Sequence, residues 1–178
     1  MPAVHQKRRI AQLKGRQSDA ASVQELRALI GEPPPGGHRR DLLIEHLHQL
    51  NDHYRGLFER HLLALASDMK LAMAEVFEVA TFYHHFEVLR DDQTPAALTV
   101  RVCNSLSCAM AGSEDLQARL PGLLGESVRV VAAPCLGRCE QAPAVLVGQQ
   151  AVPQAQLPLL LKAVAYKENK ALAPVKYV

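Results

Sequence analysis

Tryptophan is absent, and aromatic residues together make up only 4% of the 178 residues. Stacked nucleic-acid bases need aromatic platforms, so no nucleic-acid partner is expected, and the core has to rest on Leu, Val, Ala and Ile. No hydrophobic run has the length of a membrane span; residues 157–166 come nearest, and Lys162 interrupts them. The first twenty residues hold no apolar segment of the kind a secretory signal needs. These absences predict a soluble, cytoplasmic chain with no direct membrane insertion. The sequence also has no phosphate-cradling glycine loop, no nucleophile triad and no paired-carboxylate site, so neither flavin nor nicotinamide is expected to bind here and no catalytic residue is assigned. Cysteine is scarce, at four residues. In a reducing compartment four cysteines point to metal ligands or redox groups rather than structural disulfides.

Hydrophobic residues make up 48% of the chain, enough to build a core for one domain or for two small joined pieces. The net charge of +2 hides an uneven distribution: +5 over residues 1–40, −6 over 41–94 and +3 over 95–178. A basic arm (Lys7, Arg8, Arg9, Lys14, Arg16) opens the chain. Its plainest reading is a solvated terminus; its functional readings are binding of nucleic acid or anionic lipid, or docking on a partner protein.

Residues 33–37, Pro-Pro-Pro-Gly-Gly, cannot continue a helix. Before them, Val23, Leu26 and Ile30 fall at helical spacing, with Ser22 as a candidate cap. After them, Leu43, Leu47, Leu50 and Tyr54 predict an amphipathic helix over 40–54, and two further helices are predicted over 60–66 and 70–79, parted near Ser67-Asp68. The pattern then changes. Strands are predicted at 98–103, 127–132, 144–147 and 151–152, a helix at 112–120, and a closing helix at 154–166. That order predicts a compact α/β unit behind a helical bundle.

The cysteines stand as Cys103-Asn-Ser-Leu-Ser-Cys108 and Cys135-Leu-Gly-Arg-Cys139, with gaps of four and three residues. Each pair follows a predicted strand, so both should leave the same end of a sheet and converge. Small neighbours (Ser105, Ser107, Gly112, Gly137) leave backbone N–H groups free to face sulfur. A two-iron cluster held by four thiolates is doubly negative and gains another negative charge on reduction, so buried sulfurs need such donors. Arg138 could add a positive charge there, although a solvated surface arginine is the plainer reading. Structural zinc usually uses a two-residue gap, four-iron clusters a denser run, and disulfide-exchange enzymes a two-residue gap between thiols. On spacing alone a two-iron cluster ranks first, a zinc-stabilised interaction module second, and thiol–disulfide chemistry third. The eight histidines all lie at or before His85. His46 and His48 point to different sides of a helix and His46 and His53 stand two turns apart, so no second metal site is expected. His84-His85 is read as structural, or as packing beneath the centre.

The two cysteine motifs, with 102–112, 134–139 and Gln141-Ala142-Pro143-Ala144, resemble the thioredoxin-like ferredoxin subunit of NADH dehydrogenases, the 24-kDa subunit family of respiratory complex I. Residues 74–86 (Ala-Glu-Val-Phe-Glu-Val-Ala-Thr-Phe-Tyr-His-His-Phe) resemble the stretch that precedes that ferredoxin, and the likeness covers about residues 24–166. It implies an α+β fold, a helical bundle followed by a thioredoxin-like 2Fe-2S domain, with Cys103, Cys108, Cys135 and Cys139 as cluster ligands. It divides the chain into a basic arm and first helix (1–37), a bundle (38–94), the 2Fe-2S domain (95–168), and a tail or the start of a fused flavin domain (169–178). The partners it implies are a flavin- and NADH-binding subunit or domain carrying FMN and NAD; the apolar run 76–86 reads first as core, with Phe82 and Phe86 at helical spacing, and alternatively as a docking surface for that subunit. More narrowly, Lys14-Gly15-Arg16-Gln17, residues 39–48 and the short 26-residue segment between Cys108 and Cys135 resemble the β subunit of soluble NAD-dependent formate dehydrogenases. That likeness implies an iron–sulfur partner subunit with tungsten or molybdenum. The same role in complex I or an NAD-reducing hydrogenase is the alternative.

Overall fold

The first helix, α1 (Ala20–Ile30), begins where the Asp19 carboxylate accepts hydrogen bonds from the Ser22 N–H (2.8 Å) and hydroxyl (2.7 Å). Asp19 is therefore the cap, and Ser22, expected in that role, lies buried inside the first turn. The structure, a computed structural model, describes residues 17–168, without the side chains of Lys167 and Glu168. The basic arm up to Arg16 and the tail from Asn169 fall outside the described residues. Gly31, at φ 89°, closes α1 ahead of the prolines. The helix expected over 40–54 divides into a 3-10 turn, Arg40–Leu42, and α2 (Leu43–Tyr54).

Two helices follow, α3 (Glu59–Met69) and α4 (Met73–Phe82). The break falls at Lys70, which takes the left-handed conformation at φ 55°, not at Ser67-Asp68. Asp68 stays helical and its buried carboxylate accepts both a Nε (2.7 Å) and a Nη2 (2.9 Å) bond from Arg27 of α1. Helices α1–α4 share one core, in which Leu26, Leu47, Leu50, Leu62, Leu65 and Val76 are fully buried. Burial of each such side chain contributes about 1.5–3 kcal/mol. Two short strands brace this core: β1 (Leu57–Phe58) runs parallel to β2 (Val88–Leu89). Neither is predicted from sequence, since two residues show no periodicity. Glycine at position 56 lets the two chains approach, because a Cβ there would stand 2.5 Å from Leu89 Cδ1.

The second sheet holds β3 (Leu98–Cys103), β4 (Val128–Ala133), β5 (Val145–Val147) and β6 (Gln150–Val152), in the order β4-β3-β5-β6. Strands β3 and β4 are parallel, which requires a crossover, and α6 (Ser113–Leu124) supplies it; α5 (Leu106–Met110) precedes it within the first cysteine loop. The remaining pairings are antiparallel, and Gly148 at φ 61° turns β5 into β6. Helix α6 passes its expected end at Leu120 and continues through Pro121 to Leu124, which packs on the core. The closing helix, α7 (Leu157–Glu168), starts three residues later than expected.

One sheet face is apolar. Leu98, Val100 and Val102 pack with Val145 and Val147 against Leu116 and Leu120 of α6 and Leu160 and Val164 of α7. Alternation puts Thr99, Arg101 and Arg129 on the opposite face. That face meets the helical half through polar contacts: Arg101 Nη2 donates to the His85 carbonyl (2.7 Å) and Nε to that of His84 (3.3 Å). Arg129 pairs with Glu87, and Gln149 donates to Asp52 of α2 at 3.2 Å.

Candidate metal centre

Strand β3 ends on Cys103, and the next N–H, of Asn104, donates to the Ala133 carbonyl at the end of β4. The chain then turns through Ser105, whose carbonyl accepts from Cys108 and Ala109 at 2.9 Å and starts α5. This turn of helix directs Cys108 inward while leaving Leu106 and Met110 outside, 77% and 83% exposed. After β4, Pro134 leads into the second loop, where Gly137 takes φ 71° and a 3-10 turn forms over Cys139–Gln141. In that left-handed turn the Gly137 N–H donates to Cys135 Sγ at 3.4 Å, a conformation that favours glycine. Ala144 closes the arrangement: its carbonyl accepts from the Cys103 N–H (3.2 Å), and its own N–H donates to Cys108 Sγ (3.4 Å).

All four cysteines thus meet at one end of the sheet, as two pairs of different character. Cys103 and Cys108 are buried, at 1% and 2% exposure, among Ala144, Leu136 and Ala142; Cys135 and Cys139 are exposed, with their sulfurs 3.5 Å apart. The loops interlock, since Leu136 of the second loop packs on the buried Cys103–Cys108 pair of the first. Burial pushes the Cys103 thiol up, but bonds from the Ser105 and Leu136 N–H groups, Cys108 and the Ser105 hydroxyl together hold it below the ordinary thiol range. Burial raises Cys108, with the neighbouring Cys103 adding to it, while the Ala144 N–H opposes. Cys139 is raised chiefly by its bond with Cys135.

The donor set is four cysteines, two buried and two exposed. Among the described residues no three side chains of His, Cys, Asp and Glu gather to hold a single ion. Tetrahedral thiolates at about 2.3 Å from a metal lie about 3.8 Å apart, and the Cys135–Cys139 separation of 3.5 Å is close to this. The exposed pair is thus spaced to serve one metal ion, and backbone N–H groups face the sulfurs of Cys135 and Cys108.

Other residues singled out from sequence lie elsewhere. Arg138 is exposed and donates to Gln141 Oε1 at 2.8 Å. His85 packs against His48 and Phe86, and His46 is buried beside His38 and bonded to Gln49, so these histidines belong to the helical half and its joint with the sheet. Sequence reasoning missed Ala144 as the backbone support of Cys103 and Cys108, and Arg101 as the link from the sheet to the helical half. Only the alternating pattern of β3 hinted at Arg101, a charged residue two positions before a cysteine. No helix among the described residues is long and apolar enough to cross a membrane.

Paired thiolates on a β-α-β-β-α sheet define a class, the thioredoxin-like [2Fe-2S] ferredoxins, and the model of that family matches residues 27–164. The chain belongs to this family, and the cofactor of the family is a 2Fe-2S cluster. Among curated proteins it is 29% identical over 118 residues to a subunit of the NADH-quinone oxidoreductase of Aquifex aeolicus (strain VF5), spanning 61% of this chain and 71% of that protein. Crystal structures of NAD+-reducing [NiFe]-hydrogenase share the fold at a TM-score of 0.55. The air-oxidised form is 21% identical over 71% of this chain, and the H2-reduced form 20% identical over 73%. This chain spans 23% and 22% of those hydrogenase chains.

Proposed function

We propose that this chain is the 2Fe-2S electron-transfer subunit of a multisubunit NAD-linked oxidoreductase, with Cys103, Cys108, Cys135 and Cys139 as the cluster ligands. The observation that carries the reading is the convergence of two cysteine pairs, one buried and one exposed, at a single sheet end with N–H donors turned toward sulfur. When bound, the cluster supplies one-electron exchange. The protein's part is to neutralise the charge on sulfur, to exclude water from the Cys103–Cys108 side and to leave the Cys135–Cys139 side open. Electrons therefore enter and leave on the face that carries Cys135, Cys139, Leu106 and Met110. The partner on that face is a flavin- and NADH-binding subunit or domain, whose FMN exchanges hydride with NAD and single electrons with this chain.

The division of labour follows the sequence blocks: the helical bundle (38–94) docks on partners and the 2Fe-2S domain (95–168) carries the cluster. Phe77, Phe82 and Tyr83, on α4 and at its end, are exposed aromatic residues suited to such docking. The parent assembly is a soluble NAD-dependent formate dehydrogenase with a tungsten- or molybdenum-containing subunit, a reading that rests on residues 14–17 and 39–48. The relatives favour a second reading, the same role in an NADH-quinone oxidoreductase or NAD+-reducing hydrogenase. Reconstituted protein should be brown, bleach on reduction and give a one-electron paramagnetic signal; a colourless protein holding one zinc per chain would refute the cluster role. Co-purification separates the parents: formate-dependent NAD reduction with tungsten or molybdenum present supports the first, and hydrogen- or quinone-linked activity overturns it.

A further inference from the structure

Between the 3-10 turn that opens α2 and the last turn of α4 runs a groove of about 420 Å³. Its walls are apolar, with Ile44 on one side and Phe82 and Tyr83 on the other, and these three are 40%, 73% and 42% exposed. The polar groups along it are mainly acidic: Asp41, Glu75 and Glu78, with Arg40 as the cation. Arg40 pairs with Glu75, and Asp41 pairs with Arg39. Glu78, exposed on α4, makes no ion pair among the described residues. Open apolar walls beside an unpaired carboxylate fit an occupant that brings both hydrocarbon and positive charge.

The chain holds such a segment itself. Residues 1–16, outside the described residues, carry Lys7, Arg8, Arg9, Lys14 and Arg16 and no acid, with Val4, Ile10 and Leu13 set among them. We propose that this basic arm docks in the groove between α2 and α4 of its own chain, its apolar side chains against Ile44 and Phe82 and a cation at Glu78. Charge favours this occupant: the five Lys/Arg of the arm face a region, residues 41–94, whose net charge is −6. Reach allows it. The stretch from Lys7 to Gln17 spans up to about 33 Å when extended, whereas α2, the longest helix of the bundle at 12 residues, is about 18 Å long. Tethering supplies the rest, because an attached segment meets the groove at a high effective concentration, and contacts too weak to hold a free peptide then suffice. Lysine and arginine also bind favourably over the faces of Phe82 and Tyr83. The inference does not depend on the cluster. It bears on the docking face proposed above, since the arm and a partner exclude each other from one groove.

The test uses the full chain, dilute and at low salt, with a carbodiimide, which joins a lysine amine to a carboxylate in contact with it. Peptide mass spectrometry should place links from Lys7 or Lys14 on Glu75 and Glu78. Trypsin cleavage after Lys14 is then timed against a free peptide of residues 1–20. It should be slower in the wild-type chain than in the peptide, and faster by about threefold or more in Glu78→Lys, in Ile44→Ser and at high salt. Both replaced residues are exposed, so the fold should survive, and urea titration checks it. Links between chains, read from a mixture of labelled and unlabelled protein, overturn the proposal in favour of a second copy. Arm links scattered over other carboxylates, or cleavage unaffected by both substitutions, overturn it as well. An isolated chain whose arm makes no link to the groove, where the assembled complex links a partner to it, gives the groove to that partner and equally overturns the proposal. None of these readouts involves iron, so the cluster reading stands or falls separately.

Discussion

Replacing Arg101 with Met tests whether the joint between helices and sheet is held by the guanidinium. The Met retains an aliphatic stem and removes two bonds, to the His85 carbonyl at 2.7 Å and the His84 carbonyl at 3.3 Å. Net, a hydrogen bond from a charged donor contributes about 1.5–3 kcal/mol. The long, exposed bond to His84 can be replaced by water, so the short, partly buried bond to His85 carries most of the loss, about 2 kcal/mol. Part is returned, because Arg101 is poorly placed as a cation: burial first, and Arg129 beside it second, pull its pKa down. The expected net loss is about 1–2 kcal/mol, which for a chain of this size lowers Tm by roughly 2–8 °C. The change should also be local. The Leu57 N–H donates to the Glu87 carbonyl at 2.7 Å, just beyond the clamped carbonyls, so its hydrogen-exchange protection should fall in the variant. Calorimetry and amide exchange read the two effects. Arg129→Met is the control, since its pair with Glu87 lies nearer the surface and should contribute at most about 1 kcal/mol. An unchanged Tm together with unchanged Leu57 protection in Arg101→Met would refute the clamp, as would an equal loss in Arg129→Met.

Other substitutions probe the centre and the helical core. Cys103→Ser or Cys135→Ser should each abolish a normal two-iron spectrum, while Ser at Cys135, on the open side, should leave the fold nearer wild type; iron content and far-ultraviolet dichroism check both. Asp68→Ala strands an Arg27 that still reaches solvent and should cost about 2–3 kcal/mol, whereas Arg27→Ala strands a buried carboxylate and should cost more, about 3–5 kcal/mol, in urea titrations. Burial lowers the folded-state pKa of His46, His61 and His85 below 6.5, so at acid pH the unfolded chain binds more protons than the folded one. Stability should accordingly be flat above about pH 6.5 and fall as pH drops toward the folded-state values. Urea midpoints between about pH 5 and 7.5 measure this, and His61→Gln should flatten the slope.

Much of the plan was legible in the chain. The Pro-Gly break at 33–37, the leucine spacing of α2 and the alternation of β3 and β4 are local signals, each written in consecutive residues. The cysteine motifs were legible for the same reason: a gap of three or four residues after a strand fixes where two thiols can point. Errors fell where one residue's role depends on a distant partner. Ser22 is inside α1 because Asp19 has the free carboxylate, and Asp68 remains helical because Arg27 reaches it from 41 positions away. Strands β1 and β2 carry no periodicity, and they exist because Gly56 lets Leu89 approach.

What the sequence by itself determined is the kind of centre: four thiols, their spacing, and small residues that free backbone N–H groups to face sulfur. Only the tertiary structure decided how unequal the four are. The second loop lies over the first so that Leu136 and Ala144 cover Cys103 and Cys108 and leave Cys135 and Cys139 open. Local spacing dictates chemistry because ligand geometry is short-ranged. Burial and hydrogen bonding at a sheet end are settled by which loops fold over each other, a long-range outcome that no single segment encodes.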